Sequence, residues 1–300
     1  MRLLLLLGCL SAAVLPATLT AQDAPLTLAA LSANTRPIAP APTSVWQQLN
    51  PDKLKLRSAS ALVVDRFGNE VYAKNENTPR PIASITKLMT AMVTLDAGLP
   101  MQEKITITKA DRDLHKLTGS RLKYGASLAR EQMVGLALMA SENRAAAALG
   151  RTYPGGSEAF VKAMNKKARD LGMTSSRFKD PAGLNAGNVA SASDLVVMVQ
   201  TAQRYPMIRK ATTTKSMTVY PWKGRGPLRY VNTNRLLKNK SWSIELSKTG
   251  YIHEAGRCLT MRAEIVDQPL VIVLLNSFGK LTPMGDSNRL RKWIERGVDS

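Results

Sequence analysis

PIASITKLMTAM, residues 81–92, sets a serine, Ser84, three positions before a lysine, Lys87, at the head of an apolar run. Positions i and i+3 of a helix stand one turn apart on one face, so the Lys87 amine would return toward the Ser84 hydroxyl. Apolar residues at 85, 88, 89, 92, 93 and 95 keep a helical spacing that stops at Gly98. A serine at such a start lies beside free backbone N–H groups and the positive end of the helix dipole, which suits a developing oxyanion. An N-cap serine followed by a surface lysine would look the same. Ser-x-x-Lys also arises by chance roughly once in a chain of this size. Three more copies occur, SRLK at 120–123, SRFK at 176–179 and SFGK at 277–280. The first lies between Gly119 and Gly125, the second runs into Asp180-Pro181 and the third is broken by Gly279, so none of them opens a helix.

Two later triplets favour Ser84. SEN, Ser141 to Asn143, falls within the long apolar helical stretch 126–150, which reads as one helix or as two meeting near Ser141. KTG, Lys248 to Gly250, falls in a strand-like run. Lys-Thr-Gly is expected by chance less than about once in ten such chains. SAN at 32–34 matches Ser-x-Asn too, but in a Pro- and Ala-rich stretch without periodicity. The three triplets in this order, at a helix start, a helix end and a strand, are poorly explained by coincidence.

The rest of the chain supplies their setting. MRLLLLLGCLSAAVLPATLTAQ reads as a secretory signal peptide over residues 1–21, and residues 22–45 as a flexible tether. LLGC at 6–9 superficially matches a lipoprotein site, but eight residues before the cysteine are too few for a normal signal. Residues 46–300 then form one domain. SALVVDRFGNEVYAKN, 60–75, is a hairpin by composition. Helical patterns follow, among them SEAFVKAMNKKARDLGM and SASDLVVMVQTAQRY. After Pro206 three strand-like runs, SIELSKTGYI, CLTMRAEIV and PLVIVLLNS, precede a closing helix, NRLRKWIERG. An α+β fold accounts for this order, with an antiparallel sheet built from both ends of the chain and a helical region inserted between.

Apolar residues make up 44% and charged residues 21%, the balance of a soluble globular protein, and no later segment reads as a membrane span. The net charge of +20 concerns partners more than fold. With an export signal, it points to an anionic cell-wall or envelope surface and to periplasmic localisation with peripheral association, with no nucleic-acid partner. Once Cys9 leaves with the signal, Cys258 is the one remaining cysteine, so no internal disulfide or cysteine metal cluster is expected.

On these motifs the chain resembles the penicilloyl serine transferases, the penicillin-binding proteins and serine β-lactamases, for which this triple is known. The resemblance spans residues 45–300 and includes KDPAGLNAGNVASASDL at 179–195, similar to the DP-x-GL segment of D-alanyl-D-alanine peptidases. KTGYIHEAGRCLTMRA looks most like the D-alanyl-D-alanine endopeptidase branch, the penicillin-binding protein 7 type. The resemblance implies a transpeptidase-like fold, a five-stranded antiparallel sheet flanked by helices. It implies a serine D,D-peptidase acting on peptidoglycan peptide stems, acylated by β-lactam antibiotics, without cofactor or metal. Ser84 is then the nucleophile, Lys87 its base when neutral, and Ser141 the proton relay to the leaving amine. Asn143 binds substrate amide or holds Lys87. Lys248 and Thr249 bind the terminal carboxylate, and Gly250 lets substrate lie along the strand. The backbone N–H groups of Ser84 and Tyr251 form the oxyanion hole. Burial and the nearby Lys248 charge are expected to push the Lys87 pKa down. Glu142, where Asp or Gly is common, has no expected chemistry.

Competing machinery is scarce. The two histidines, His115 and His253, lack the surroundings of a nucleophile elbow or a zinc helix. Cys258 reads as a small buried residue at a strand start. A class A β-lactamase needs a glutamate before the last strands, and none lies between Glu158 and Glu245. A non-catalytic wall-binding module would not need Ser84. The alternative within the family is a D-alanyl-D-alanine carboxypeptidase, which typically carries an extra β-rich domain and a C-terminal amphipathic anchor. The 50 residues after KTG are occupied by two strands and a helix, which favours an endopeptidase cutting D-Ala-meso-diaminopimelate cross-links.

Overall fold

The computed structural model describes residues 45–298. The expected signal peptide, and the tether up to residue 44, lie outside the described residues. The first hairpin pairs β1 (Ser58–Val64) with β2 (Glu70–Lys74). Its turn is organised by Asp65, whose carboxylate accepts the N–H groups of Phe67 (2.8 Å) and Asn69 (2.9 Å), while Gly68 takes a φ of +89°.

The short strand β3 (Arg80–Pro81) leads into a 3-10 turn, Ala83–Thr86, and the first α-helix, α1 (Lys87–Asp96). The helical region continues through β4 (Lys104–Thr106), β5 (Ser127–Ala129), α2 (Arg130–Met139), α3 (Asn143–Arg151) and α4 (Gly156–Asp170). It closes with β6 (Val189–Ala190), α5 (Ala192–Ala202) and α6 (Pro206–Thr213). A small hairpin, β7 (Ser216–Val219) with β8 (Leu228–Val231), then precedes the three long strands β9 (Ser243–Ile252), β10 (Gly256–Ile265) and β11 (Gln268–Ser277). The last helix is α7 (Thr282–Val298).

The main sheet is antiparallel, five-stranded and ordered β2-β1-β11-β10-β9, so both ends of the chain build it and β9 is an edge. Its centre is covered on both faces, which explains why the β11 run is apolar throughout and not alternating. Alternate residues go to opposite cores. Leu62, Val64, Val271, Val273 and Leu275 join the helical region, while Ala61, Val63, Leu270, Ile272 and Leu274 face α7 and the 3-10 turns that begin at Val45.

Four features depart from the sequence reading. Pro206 opens a helix, α6, and does not end the helical region. Proline is well placed at the first helical position, but the short segment after it is rich in threonine and carries little helical signal. The hairpin of β7 and β8 and the two-strand pairs β3–β6 and β4–β5 are too short for a periodic pattern.

Asp286 of α7 fastens the helix to the sheet. Its buried carboxylate accepts Arg57 N (3.0 Å), Ser58 N (2.8 Å) and Ser58 Oγ (2.5 Å), and pairs with Arg289. Asp286→Ala leaves these donors unmet and should lower stability by about 3 kcal/mol. Urea unfolding of the purified protein checks this, and an unchanged midpoint would remove Asp286 from this role.

Candidate active site

The hydroxyl of Ser84 sits in the 3-10 turn immediately before α1, and the Lys87 side chain folds back onto it as the i, i+3 spacing anticipates. Lys87 Nζ lies 2.7 Å from Ser84 Oγ, 2.8 Å from Asn143 Oδ1 and 2.6 Å from the carbonyl of Ala182. Ser84 makes no capping hydrogen bond, the cap positions being Ile82 for the turn and Thr86 for α1. The N-cap reading of this serine is therefore excluded, and so is a surface lysine, because Lys87 is fully buried.

Backbone strain shapes the surroundings. Ala83, directly before Ser84, has a φ of +48°, and Ser141 has a φ of +59°. The latter breaks the long apolar stretch into α2 and α3, so the chain reverses and Asn143 begins α3 facing Lys87. Asn143 is held from its other end, its Nδ2 donating to Thr118 Oγ1 at 3.0 Å. The carbonyl of Ala182 is held by Asp180, whose Oδ1 accepts Ala182 N and Gly183 N at 2.6 Å each. Gly183 has a φ of +77°, and a Cβ there would overlap the Ala83 carbonyl, so only glycine lets this loop approach the turn that holds Ser84.

The KTG strand forms the opposite wall. A Cβ on Gly250 would lie 2.8 Å from Ile82 O and 3.1 Å from Ser84 N, so glycine lets the strand pack on the backbone at Ser84. That is a packing reason beyond the one expected for substrate. The Thr249 hydroxyl donates to Thr233 Oγ1 at 2.6 Å, and the Lys248 amine donates to the Thr249 carbonyl at 2.9 Å. Ser84, Ser141, Asn143, Thr249, Gly250 and Tyr251 line one cavity of about 880 Å³. Lys87 and Lys248 are buried in its walls. The three motifs thus converge.

Burial pushes Lys87 from 10.5 down to about 7, against the carboxylates of Asp180, Glu142 and Asp113, which pull it upward. Burial, then the Lys87 charge, holds Lys248 well below the ordinary lysine range. The repulsion between the two amines falls on Lys248, while for Lys87 burial is the leading cause, as expected.

Some functional neighbours were not legible in sequence. Glu142, of which no chemistry was expected, caps α3 through Arg144 N (3.3 Å), accepts the Ser120 hydroxyl at 2.6 Å and acts on Lys87 as a buried charge. Thr118 and Thr233 had no motif to mark them, and Asp180 was marked only as part of the DP-x-GL segment, without a role. Both histidines are exposed. Cys258 is buried, with its thiol pushed up to about 11 by burial, as befits an inert core residue.

The chain is similar to known proteins. A family model described as D-alanyl-D-alanine carboxypeptidase matches residues 47–279. A D-alanyl-D-alanine endopeptidase of Pseudomonas aeruginosa is 46% identical over 248 residues, covering 82% of this chain and 80% of that protein. One of Escherichia coli is 44% identical over 244 residues, covering 81% and 79%. The solved Streptomyces K15 DD-transpeptidase superposes with a TM-score of 0.74 at 26% identity, covering 81% of this chain and 98% of that one.

Gly250→Ala should push β9 away from Ser84 while leaving the fold intact. Acylation by a fluorescent penicillin is expected to fall at least about tenfold, with the circular dichroism spectrum unchanged. Acylation at the wild-type rate would show that the close packing at Gly250 is dispensable.

Proposed function

The chain belongs to the D-alanyl-D-alanine carboxypeptidase family of serine D,D-peptidases, and we propose that it acts as an endopeptidase, cutting D-alanyl-meso-diaminopimelyl cross-links of peptidoglycan through an acyl-enzyme on Ser84. The observation that carries the chemistry is the buried Lys87 amine on the Ser84 hydroxyl beside the KTG strand. Support for the endopeptidase form comes from the Pseudomonas and Escherichia relatives. The absence of a glutamate between Glu158 and Glu245 disfavours a class A β-lactamase.

In this mechanism neutral Lys87 takes the Ser84 proton as Oγ attacks the D-alanyl carbonyl. The oxyanion is met by the N–H groups of Ser84 and Tyr251 at the positive end of α1. Ser141 passes a proton to the leaving amine, the bond to that amine breaks, and water then releases the acyl group. Asn143 keeps the Lys87 amine aimed at Ser84. Lys248 and Thr249 take the carboxylate on the leaving residue. That carboxylate favours the charged form of Lys248, whose charge presses Lys87 toward the neutral form. Export to the periplasm and peripheral attachment to anionic envelope polymers complete the reading. No described helix is long and apolar enough to cross a membrane.

β-Lactams should form a long-lived adduct at Ser84, seen by mass spectrometry as one added drug mass and lost in Ser84→Ala. Rapid turnover without an adduct would point to a β-lactamase. The acylation rate should rise with pH through about 7, where Lys87 loses its proton, and then level off. Lys87→Arg should abolish acylation because guanidinium stays protonated. Lys248→Arg should keep measurable activity and Lys248→Ala should lose more. A Lys87→Arg enzyme near the wild-type rate would displace Lys87 as the base. Digestion of defined muropeptides tests the substrate, with cross-linked dimers expected to be cut faster than uncross-linked pentapeptides. The reverse order would make the protein a carboxypeptidase.

A further inference from the structure

The cleft holds more positive charge than the reaction at Ser84 uses. Lys116, Arg235, Lys238, Arg257 and Lys280 line it, and no Asp or Glu among the described residues does. Lys116 is paired with Glu254, and the Arg257 guanidinium lies 3.7 Å from the centre of the Tyr251 ring. Arg235 and Lys238 are exposed and have no ion-pair partner among the described residues. They are the first and last residues of the 3-10 turn Arg235–Lys238. Side chains at i and i+3 of such a turn eclipse one another, so the two cations stand on one side of it. The turn is firmly seated. Buried Asn234 accepts Leu236 N at 3.0 Å and donates its own N–H to Asn232 Oδ1 at 2.9 Å. Asn232 Nδ2 in turn reaches the carbonyls of Thr212 and Thr214, at 2.9 Å each.

Its place along the cleft follows from β9. The hydroxyl contact of Thr249 with Thr233 puts the segment 233–238 directly beyond the end of the KTG carboxylate site. A substrate whose acyl side runs along Gly250, Tyr251 and Ile252 sends its leaving side past Thr249 toward this turn. We propose that Arg235 and Lys238 form a second carboxylate subsite that recognises the leaving stem of a cross-link. The proposal rests on the endopeptidase reading above.

The chemistry of the two leaving groups separates them. A departing D-alanine ends at a single carboxylate, which Lys248 and Thr249 occupy, and nothing of it reaches Arg235. A departing diaminopimelyl residue presents its own carboxylate at the same place. It then continues through an aliphatic chain to a stem with further free carboxylates, on its γ-linked glutamyl residue and at its terminus. Two adjacent cations without acidic neighbours are the complement of such a stem.

The test compares wild type with the double variant Arg235→Ala/Lys238→Ala on three probes, a cross-linked tetrapeptide dimer, an uncross-linked pentapeptide and a fluorescent penicillin. The double variant should lose about tenfold in kcat/KM on the dimer, mainly through KM, while the other two rates stay within about twofold. Arg235→Lys/Lys238→Arg should restore dimer cleavage, and added salt should weaken the wild type on the dimer more than the double variant. Equal losses on dimer and pentapeptide, or no loss on the dimer, would overturn the subsite. A wild type that cleaves pentapeptide but leaves the dimer intact would overturn the endopeptidase reading, and the subsite with it.

Discussion

One buried amine ties the molecule together. Lys87 is surrounded by three acceptors from three separate parts of the chain, the turn before α1, the start of α3 and the 180–185 loop. A lysine with no access to water is costly unless its protons are met, and here each acceptor is available only when its segment has docked. The same requirement spreads outward. Asn143 needs Thr118, Thr118 needs Asp113, and the Ala182 carbonyl needs Asp180 and the close approach that Gly183 permits.

The charge of that amine is balanced by opposing effects. Burial alone would carry it lower still, making it a weaker base. Asp180, Glu142 and Asp113 return it to about 7, which suits the base proposed for Ser84 near neutral pH. Of these carboxylates Glu142 bonds the Ser120 hydroxyl and the α3 N-terminus, and Asp180 bonds the backbone of its own loop. Neither bonds Lys87 directly. Their influence is therefore a field effect.

What the sequence revealed, and what it withheld, divides along physical lines. The long strands β9, β10 and β11 were visible because they are buried and rich in β-branched and aliphatic residues. The helical start at Ser84 was visible through local periodicity. Ser141 and Asn143 were found through their triplet, but the positive φ that turns Asn143 toward Lys87 has no glycine to announce it. Thr118 and Thr233 act through tertiary neighbours and leave no local pattern, and the DP-x-GL segment marked Asp180 without showing what its carboxylate holds. Helix α6 was missed because its stability comes from packing on α2 and β9, which no local scale records.

An exposed sheet edge invites other chains to pair with it, and β9 is such an edge. Its first half is covered, since α6 packs along it and Glu245 engages Gln203 at 2.8 Å. Only the stretch around Thr249 to Ile252 borders the open cleft. That is room for a short extended peptide and too little for the edge of another protein copy to zip against. The covering of β9 by α6 therefore protects the molecule from polymerising through this edge, and a variant that loosened α6 would carry an aggregation cost.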